Sequence, residues 1–262
     1  MPIELLPAYR EWLLEHGGRD LEIQDAARPE VLDGDWKPLV ALAKQALEGY
    51  GGRMGLHGPY DGLWMASFDP FVRRMIAERY RRALELAAEL GASHMVIHSP
   101  FLFFGHPQMA HAPSNGLERE IEFAHDTLET VLPLARNLGL TLVIENVRDT
   151  NPAPLLALVR SFNSEHVRLS LDVGHAYLMQ QVGGPSPDQW VQEAGELLGH
   201  LHLQDNDGLL DRHWPPGEGR IHWRALFQAL SRLGSQPRLI LEVRHERLPE
   251  AARWLVAQGL AR

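Results

Sequence analysis

The chain has 262 residues, 45% of them hydrophobic, with 25 basic against 34 acidic side chains, 14 histidines and no cysteine. That length suits one large α/β domain spanning 1–262, and the missing cysteine excludes disulfides, thiolate metal sites and a cysteine nucleophile. A formal charge of −9 counts against a general nucleic-acid surface, and with no signal peptide and no apolar run of the ~18 residues a membrane helix needs, the expected setting is the cytoplasm.

In chain order, Pro2 to Leu6 reads as a short or irregular first strand, and Pro7 to His16 as a helix ended by Gly17-Gly18. Leu21 to Gln24 is the second strand, and Asp35 can cap a helix running to between Gln45 and Tyr50. Arg53 to His57 is the third strand. Asp69-Pro70, a cap followed by proline at the first position, starts a helix to Leu90 with Gly91 as its stop. His94 to Ser99 is the fourth strand, followed by a long aromatic loop, PFLFFGHPQMAHAPSNG, suited to a wall or lid over a pocket.

Leu117 to Leu138 reads as one amphipathic helix ending at Gly139, Thr141 to Asn146 as the fifth strand and Pro152 to Phe162 as a helix. Val167 to Asp172 is the sixth strand and continues into VGHAYLMQQ. Pro187 to Leu198 is helical. The stretch Leu201 to Trp223 carries the seventh strand with His200 and His202, then a loop with Asp205, Asp207, Asp211, His213 and Glu218. His222 to Leu233 is a helix, Arg238 to Val243 the last strand and Leu248 to Gln258 the last helix. Strands alternating with helices predict a parallel sheet. Eight such units of about 33 residues fit a (β/α)₈ TIM barrel, with a doubly wound open sheet as the runner-up. No GxGxxG or P-loop turn supports that alternative.

The strand ends carry the chemistry. Successive strands stop at His57, His98, Glu145, Asp172, His202 and Glu242, and in a barrel such ends ring one mouth, where active sites of this fold lie. Burying several carboxylates together is costly unless a cation accompanies them, so these residues predict a metal site built from imidazole and carboxylate. The only lysines are Lys37 and Lys44, neither at a strand end, which argues against Schiff-base chemistry. His200 reads as a structural histidine one layer deeper than His202. His94, His106, His111, His125 and His166 lack matching context. Arg148, Arg212, Arg220 and Arg244 are the few candidates for anchoring an anion, and Trp64 and Phe101 to Phe104 for an apolar wall.

The segments LVIEN, LSLDVGHA, LHLQDN, DRHWPPGEGRIHW and LILEV, in that order, resemble the signatures of the xylose isomerase-like TIM barrels. That superfamily includes sugar and inositol isomerases and epimerases, and the abasic-site nuclease endonuclease IV. Resemblance to the epimerase branch implies that Glu145, Asp172, His202 and Glu242 bind one divalent cation, Mn²⁺ or Zn²⁺ foremost, with Co²⁺ or Mg²⁺ also suited. It implies that Glu145 and Glu242 face opposite sides of a small sugar, cyclitol or keto acid as the acid/base pair, with proton transfer through an enediolate. Resemblance to endonuclease IV implies instead up to three Zn²⁺ ions and cleavage of abasic-site DNA. His57, His98 and Glu145 would hold one ion, Glu145, Asp172, His202 and Glu242 a second, and His175, Asp211 and His213 a third. In sugar-isomerase relatives those additional residues hydrogen-bond the substrate, and both readings stand at this point.

Overall fold

The computed structural model describes residues 1–15, 18–101 and 116–261. Seven strands, β1 (Leu21–Ile23), β2 (Met54–His57), β3 (His94–His98), β4 (Thr141–Glu145), β5 (Val167–Asp172), β6 (Leu198–Leu203) and β7 (Arg238–Leu241), join one sheet in chain order. The pairings β1–β2, β2–β3, β5–β6 and β6–β7 are parallel. The helices are α1 (Leu6–Glu15), α2 (Pro29–Asp33), α3 (Lys37–Ala46), α4 (Pro70–Leu90), α5 (Gly116–Leu128) and α6 (Val131–Asn137), then α7 (Pro152–Ser161), α8 (Val173–Gln180), α9 (Pro187–Ala194), α10 (Trp223–Leu230) and α11 (Leu248–Ala257). A strand order that follows the chain, with helical crossovers, is the α/β TIM-barrel topology expected. No helix among the described residues is long and apolar enough to cross a membrane.

The chain divides into two compact units. The first is built on Met1–Pro100, Glu118–Val143 and Ser164–Val167. Its strand registers pair Ile23 with Leu56 and His57 with Val96, burying Ile23, Leu56, Met95, Val96 and Ile97. Helix α4 buries Ile76, Ala77, Tyr80, Ala83, Leu84 and Ala87, the three-and-four spacing of one apolar face. Asp69 accepts from Phe71 N (2.8 Å) at its start, and Gly91 closes it in the left-handed region (φ 75°), as the sequence predicts.

The second unit is built on Ile144–Asn163 and Arg168–Arg262. Its registers set Asp172 beside His202 and His202 beside Ile240. A register shift between Leu169 and Ser170 brings Ser170 Oγ within 2.8 Å of His200 Nδ1. Leu201 and Leu203 alternate with His200 and His202 along β6, so the two histidines share one face. All four are buried.

Three predicted elements differ from the sequence reading, one of them the helix expected over Pro187 to Leu198, which ends at Ala194 so that Leu198 opens β6. The first strand is absent among the described residues: Ile3–Leu5 is a 3₁₀ turn that runs into α1. Pro2 has no N–H for a ladder, and Pro7 in the first turn favours a helix. The chain start still lies along β1, with the Met1 amino group donating to Glu22 O (2.6 Å) and Ile3 N to Asp25 Oδ2 (2.7 Å). The predicted helix from Leu117 to Leu138 is two helices, interrupted at residues 129 and 130. Pro133 accounts for the break: its ring would clash with the carbonyl four residues back, that of Glu129. The aromatic loop at 102–115, with His106 and His111, lies outside the described residues.

Candidate active site

Four strand ends of the second unit meet at one imidazole. Glu145 ends β4, Asp172 ends β5, His202 is the penultimate residue of β6, and Glu242 follows β7 with its N–H still donating to Leu203 O (3.1 Å). His202 Nδ1 lies 2.9 Å from Glu145 Oε2 and 3.3 Å from Glu242 Oε2. Asp172 and His202 are fully buried, Glu145 is 1% exposed, and the Glu242 side chain keeps 16% exposure. His175, one turn into α8, approaches Glu145 Oε1 with Nδ1 (3.4 Å). Glu145, Asp172 and His175 each offer a ligand atom within 4.8 Å of the others.

Backbone chemistry fixes these side chains. Asp172 is both a strand end and a helix cap, since Oδ1 accepts from His175 N (2.6 Å) and α8 starts at once. Asn146, just past β4, locks it: Nδ2 donates to Asp172 O (3.1 Å) and Oδ1 accepts from Asp172 N (2.8 Å). Asp172 Oδ2, buried, has no hydrogen-bond partner among the described residues. A buried acceptor left over in this way is costly unless something else binds it. Ligand atoms ~2.0–2.2 Å from a shared cation lie about 3 Å apart, close to the His202–Glu145 and His202–Glu242 separations. Three carboxylates and an imidazole are therefore a donor set that fits a divalent cation.

Beside this cluster, the Asp211 carboxylate sits between two imidazoles. Its Oδ2 is 3.3 Å from His175 Nε2 and 3.0 Å from His213 Nε2. The opposite nitrogen of each ring faces a backbone carbonyl, Asn146 O for His175 (3.0 Å) and Glu242 O for His213 (2.9 Å). The structure thus brings together His175, Asp211 and His213, and puts His175 against Glu145 and Asp172 as well. His213 adopts φ 50°, a left-handed conformation uncommon for a non-glycine residue. Its bond to Glu242 O, and Trp214 pairing through its backbone with Asp205, hold it there.

That pairing starts from a carboxylate with a different task. Asp205, fully buried, accepts from Asn206 N (2.9 Å), Gly217 N (2.9 Å), Ile221 N (3.2 Å) and Trp223 Nε1 (2.8 Å). It folds the PPGEG loop around itself. Gly219 is required by close approach, because a Cβ there would lie 2.2 Å from Asp205 Oδ1. Asp207 caps its own turn through Leu209 N (2.9 Å) and pairs with Arg212 (3.0 Å), so Arg212 is a structural partner within the loop. Sequence reading did not separate Asp205 from its acidic neighbours, and it passed over Asn146 and Gln204. Both amides stand directly after a strand, Asn146 after β4 and Gln204 after β6.

In the first unit, the rings of His57 and His98 are 5.4 Å apart, edge to face, and Tyr60 stacks on His98 at 4.8 Å. Both histidines stand at strand ends as predicted, and Tyr60 is an addition. Trp64 donates to Pro100 O (2.7 Å). Phe101, which belongs to the second unit, is buried.

The charges respond to this crowding. Burial pushes the Glu242 carboxyl up to about 8; His202 and His213 oppose the shift, while Asp172 and Glu145 reinforce it. Burial disfavours protonation of His175, but the Asp172 charge and the bonds to Asp211 and Glu145 outweigh it and hold the ring well above its ordinary value. His213 is likewise raised to about 9, its burial overcome by the bond to Asp211 and the charge of Glu242. Burial would raise Asp211, yet the bonds to both imidazoles hold it below the usual carboxylate range.

Residues 11–258 match the family model of the xylose isomerase-like TIM barrel. The chain is 28% identical over 186 residues to the uncharacterised protein MJ1311 of Methanocaldococcus jannaschii, a match that takes in 68% of this chain and 60% of that protein. It is 24% identical over 215 residues to the fructoselysine 3-epimerase of Shigella flexneri, covering 78% of this chain and 71% of the enzyme. The chain therefore spans only part of the length of these curated relatives. Among solved structures it is similar to the TTHB071 protein of Thermus thermophilus soaked with ZnCl2, at 29% identity and a TM-score of 0.74 over 100% of this chain and 97% of that one.

Asp205→Ala leaves four donors without their acceptor, three of them on the backbone. It should destabilise the chain by about 3 kcal/mol or more, read as a lowered urea midpoint, and so identify Asp205 as the organiser of the loop.

Proposed function

The chain belongs to the xylose isomerase-like TIM barrel family, and on that premise we propose that it is a divalent-cation-dependent isomerase or epimerase. The substrate would be a small sugar, cyclitol or keto acid, handled in a single domain over 1–262. One observation carries the reading: Glu145 and Glu242 approach the same nitrogen of His202 at 2.9 and 3.3 Å, beside a fully buried Asp172. In this reading Glu145, Asp172, His202 and Glu242 hold the cation. When bound, Mn²⁺, Zn²⁺, Co²⁺ or Mg²⁺ supplies positive charge that offsets the carboxylates and stabilises the oxygens of an enediolate.

The chain's own residues move the proton. One of the two glutamates removes it from the carbon next to the substrate carbonyl, through a carboxylate oxygen. The other returns one to the neighbouring carbon or to the opposite face. The surrounding burial keeps bulk water from protonating the carbanion directly, so solvent hydrogen enters through the carboxylates. His175, Asp211 and His213 are then candidates for hydrogen-bonding the substrate's hydroxyls.

A second reading is favoured by one feature of the loop. The Nδ1 atoms of His175 and His213 are each fixed by a backbone carbonyl, as histidine ligands of metals usually are. If Asp211 and its imidazoles hold further zinc ions, the chain is an endonuclease IV-like phosphodiesterase acting on abasic-site DNA. Metal counting separates the two. One cation per chain and no nicking of abasic-site DNA supports the isomerase; two or three zinc ions with nicking supports the nuclease. His213→Ala should raise KM with metal content intact in the first case and deplete metal in the second.

Glu145→Gln and Glu242→Gln should each lower solvent deuterium incorporation into a turned-over substrate by at least a hundredfold. Undiminished exchange in both variants would remove them from the reaction. Cation loading should also depend on pH. The cation-free Glu242 carboxyl titrates at about 8, and a ligand must be ionised. Loading at pH 6.5 should therefore release a proton, and affinity should rise toward pH 8 and level off above it. Calorimetry in buffers of different ionisation enthalpy measures both.

A further inference from the structure

We propose that Gln204 is a positioning residue: its side-chain amide selects which oxygen of Asp172 and which oxygen of Asp211 stays available, and so couples the strand-end cluster to the imidazole-flanked carboxylate. This rests on the reading of Glu145, Asp172, His202 and Glu242 as a cation site.

Gln204 follows β6 directly and is fully buried. Its Nε2 donates to Asp211 Oδ1 at 2.7 Å and to Asp172 Oδ1 at 3.3 Å. An amide nitrogen carries two hydrogens, and here both go to carboxylates. Asp172 Oδ1 already accepts from His175 N (2.6 Å). With Gln204 added, that oxygen is committed twice, while Oδ2 has no hydrogen-bond partner among the described residues. Asp211 is sorted the same way: Oδ1 faces Gln204 and Oδ2 faces the two imidazoles. A single neutral group therefore orients two carboxylates without adding charge, which a lysine or arginine could not do.

Gly174 makes the space. A Cβ at this position would lie 2.1 Å from Gln204 Cδ and 2.2 Å from Nε2. Alanine at 174 is accommodated only if the amide swings away, and moving the amide breaks its bond to Asp172. The glycine of VGHA and the glutamine of LHLQDN are thus two halves of one device, 30 residues apart in sequence.

The test uses the full-length chain freed of metal by chelation, with Co²⁺ alone as the probe, read by calorimetry and by the visible spectrum of the bound ion. Gln204→Met keeps the volume and removes both donors. It should weaken Co²⁺ binding by about tenfold to a hundredfold and alter the spectrum, with a melting temperature close to that of the parent. Gly174→Ala should weaken it comparably, and it carries the test should Gln204→Met not fold. In a Gln204→Ala background, where the space is vacated, Gly174→Ala should add no further loss. Asp172→Asn serves as the control for the site itself. If Asp172→Asn abolishes binding while Gln204→Met and Gly174→Ala keep the parent's affinity and spectrum, Gln204 has no positioning role and the cation reading survives. Independent, additive losses from positions 174 and 204 would also overturn it. A parent chain that takes up no Co²⁺ overturns the cation reading, and this role with it.

Discussion

Three carboxylates gathered around one buried imidazole impose the constraint that the second unit answers. Glu145, Asp172 and Glu242 sit at or just past the ends of strands, two of them within 3.3 Å of His202 Nδ1. Like charges at such range, away from water, cannot all persist. Burial, reinforced by the charges of Asp172 and Glu145, holds Glu242, the carboxylate at the rim, near 8. Under the proposed reading, metal affinity and acid/base capacity rest on the same residues.

The loop beyond β6 shows how two neighbouring acids with the same chemistry take opposite tasks. Asp205 spends its carboxylate on four donors of its own loop and has nothing left for a ligand. Asp211, six residues on, is presented by the framework that Asp205 builds: the backbone pairing with Trp214 and the left-handed His213. The stability of the loop and the position of Asp211 are therefore one quantity. A change at Asp205 reaches the site without touching it.

What could be read from the sequence depended on the range of the interaction responsible. The strands were legible because β-branched and apolar runs ended at His or an acid. The cap at Asp69 was legible because its partner, Phe71, lies two residues away. The expected single helix from 117 to 138 failed on a local cause, Pro133, whose conflict with Glu129 outweighs an unbroken apolar face. The first strand failed because pairing of Met1 with Glu22 needs only a touch of extended chain before the prolines turn it helical. Gln204 and Asp205 were illegible for a different reason. Their roles rest on partners as far as 32 residues away, and nothing in the triplet QDN says which of the three serves the fold.

The two proposed acid/base glutamates are not equivalent. Glu145 closes a strand and is sealed at 1% exposure, whereas Glu242 lies one residue past its strand and keeps a side chain 16% exposed. His213 Nδ1 also contacts the Glu242 backbone (2.9 Å), tying this glutamate to the loop. A proton lost from Glu242 can pass to the loop or to solvent. Glu145 is instead linked to the interior side of His175, whose Nδ1 lies 3.4 Å from its Oε1. Such asymmetry suits an epimerisation, in which the proton removed on one face need not be the one returned on the other. It requires only that the sealed carboxylate hold its proton long enough for the open one to act.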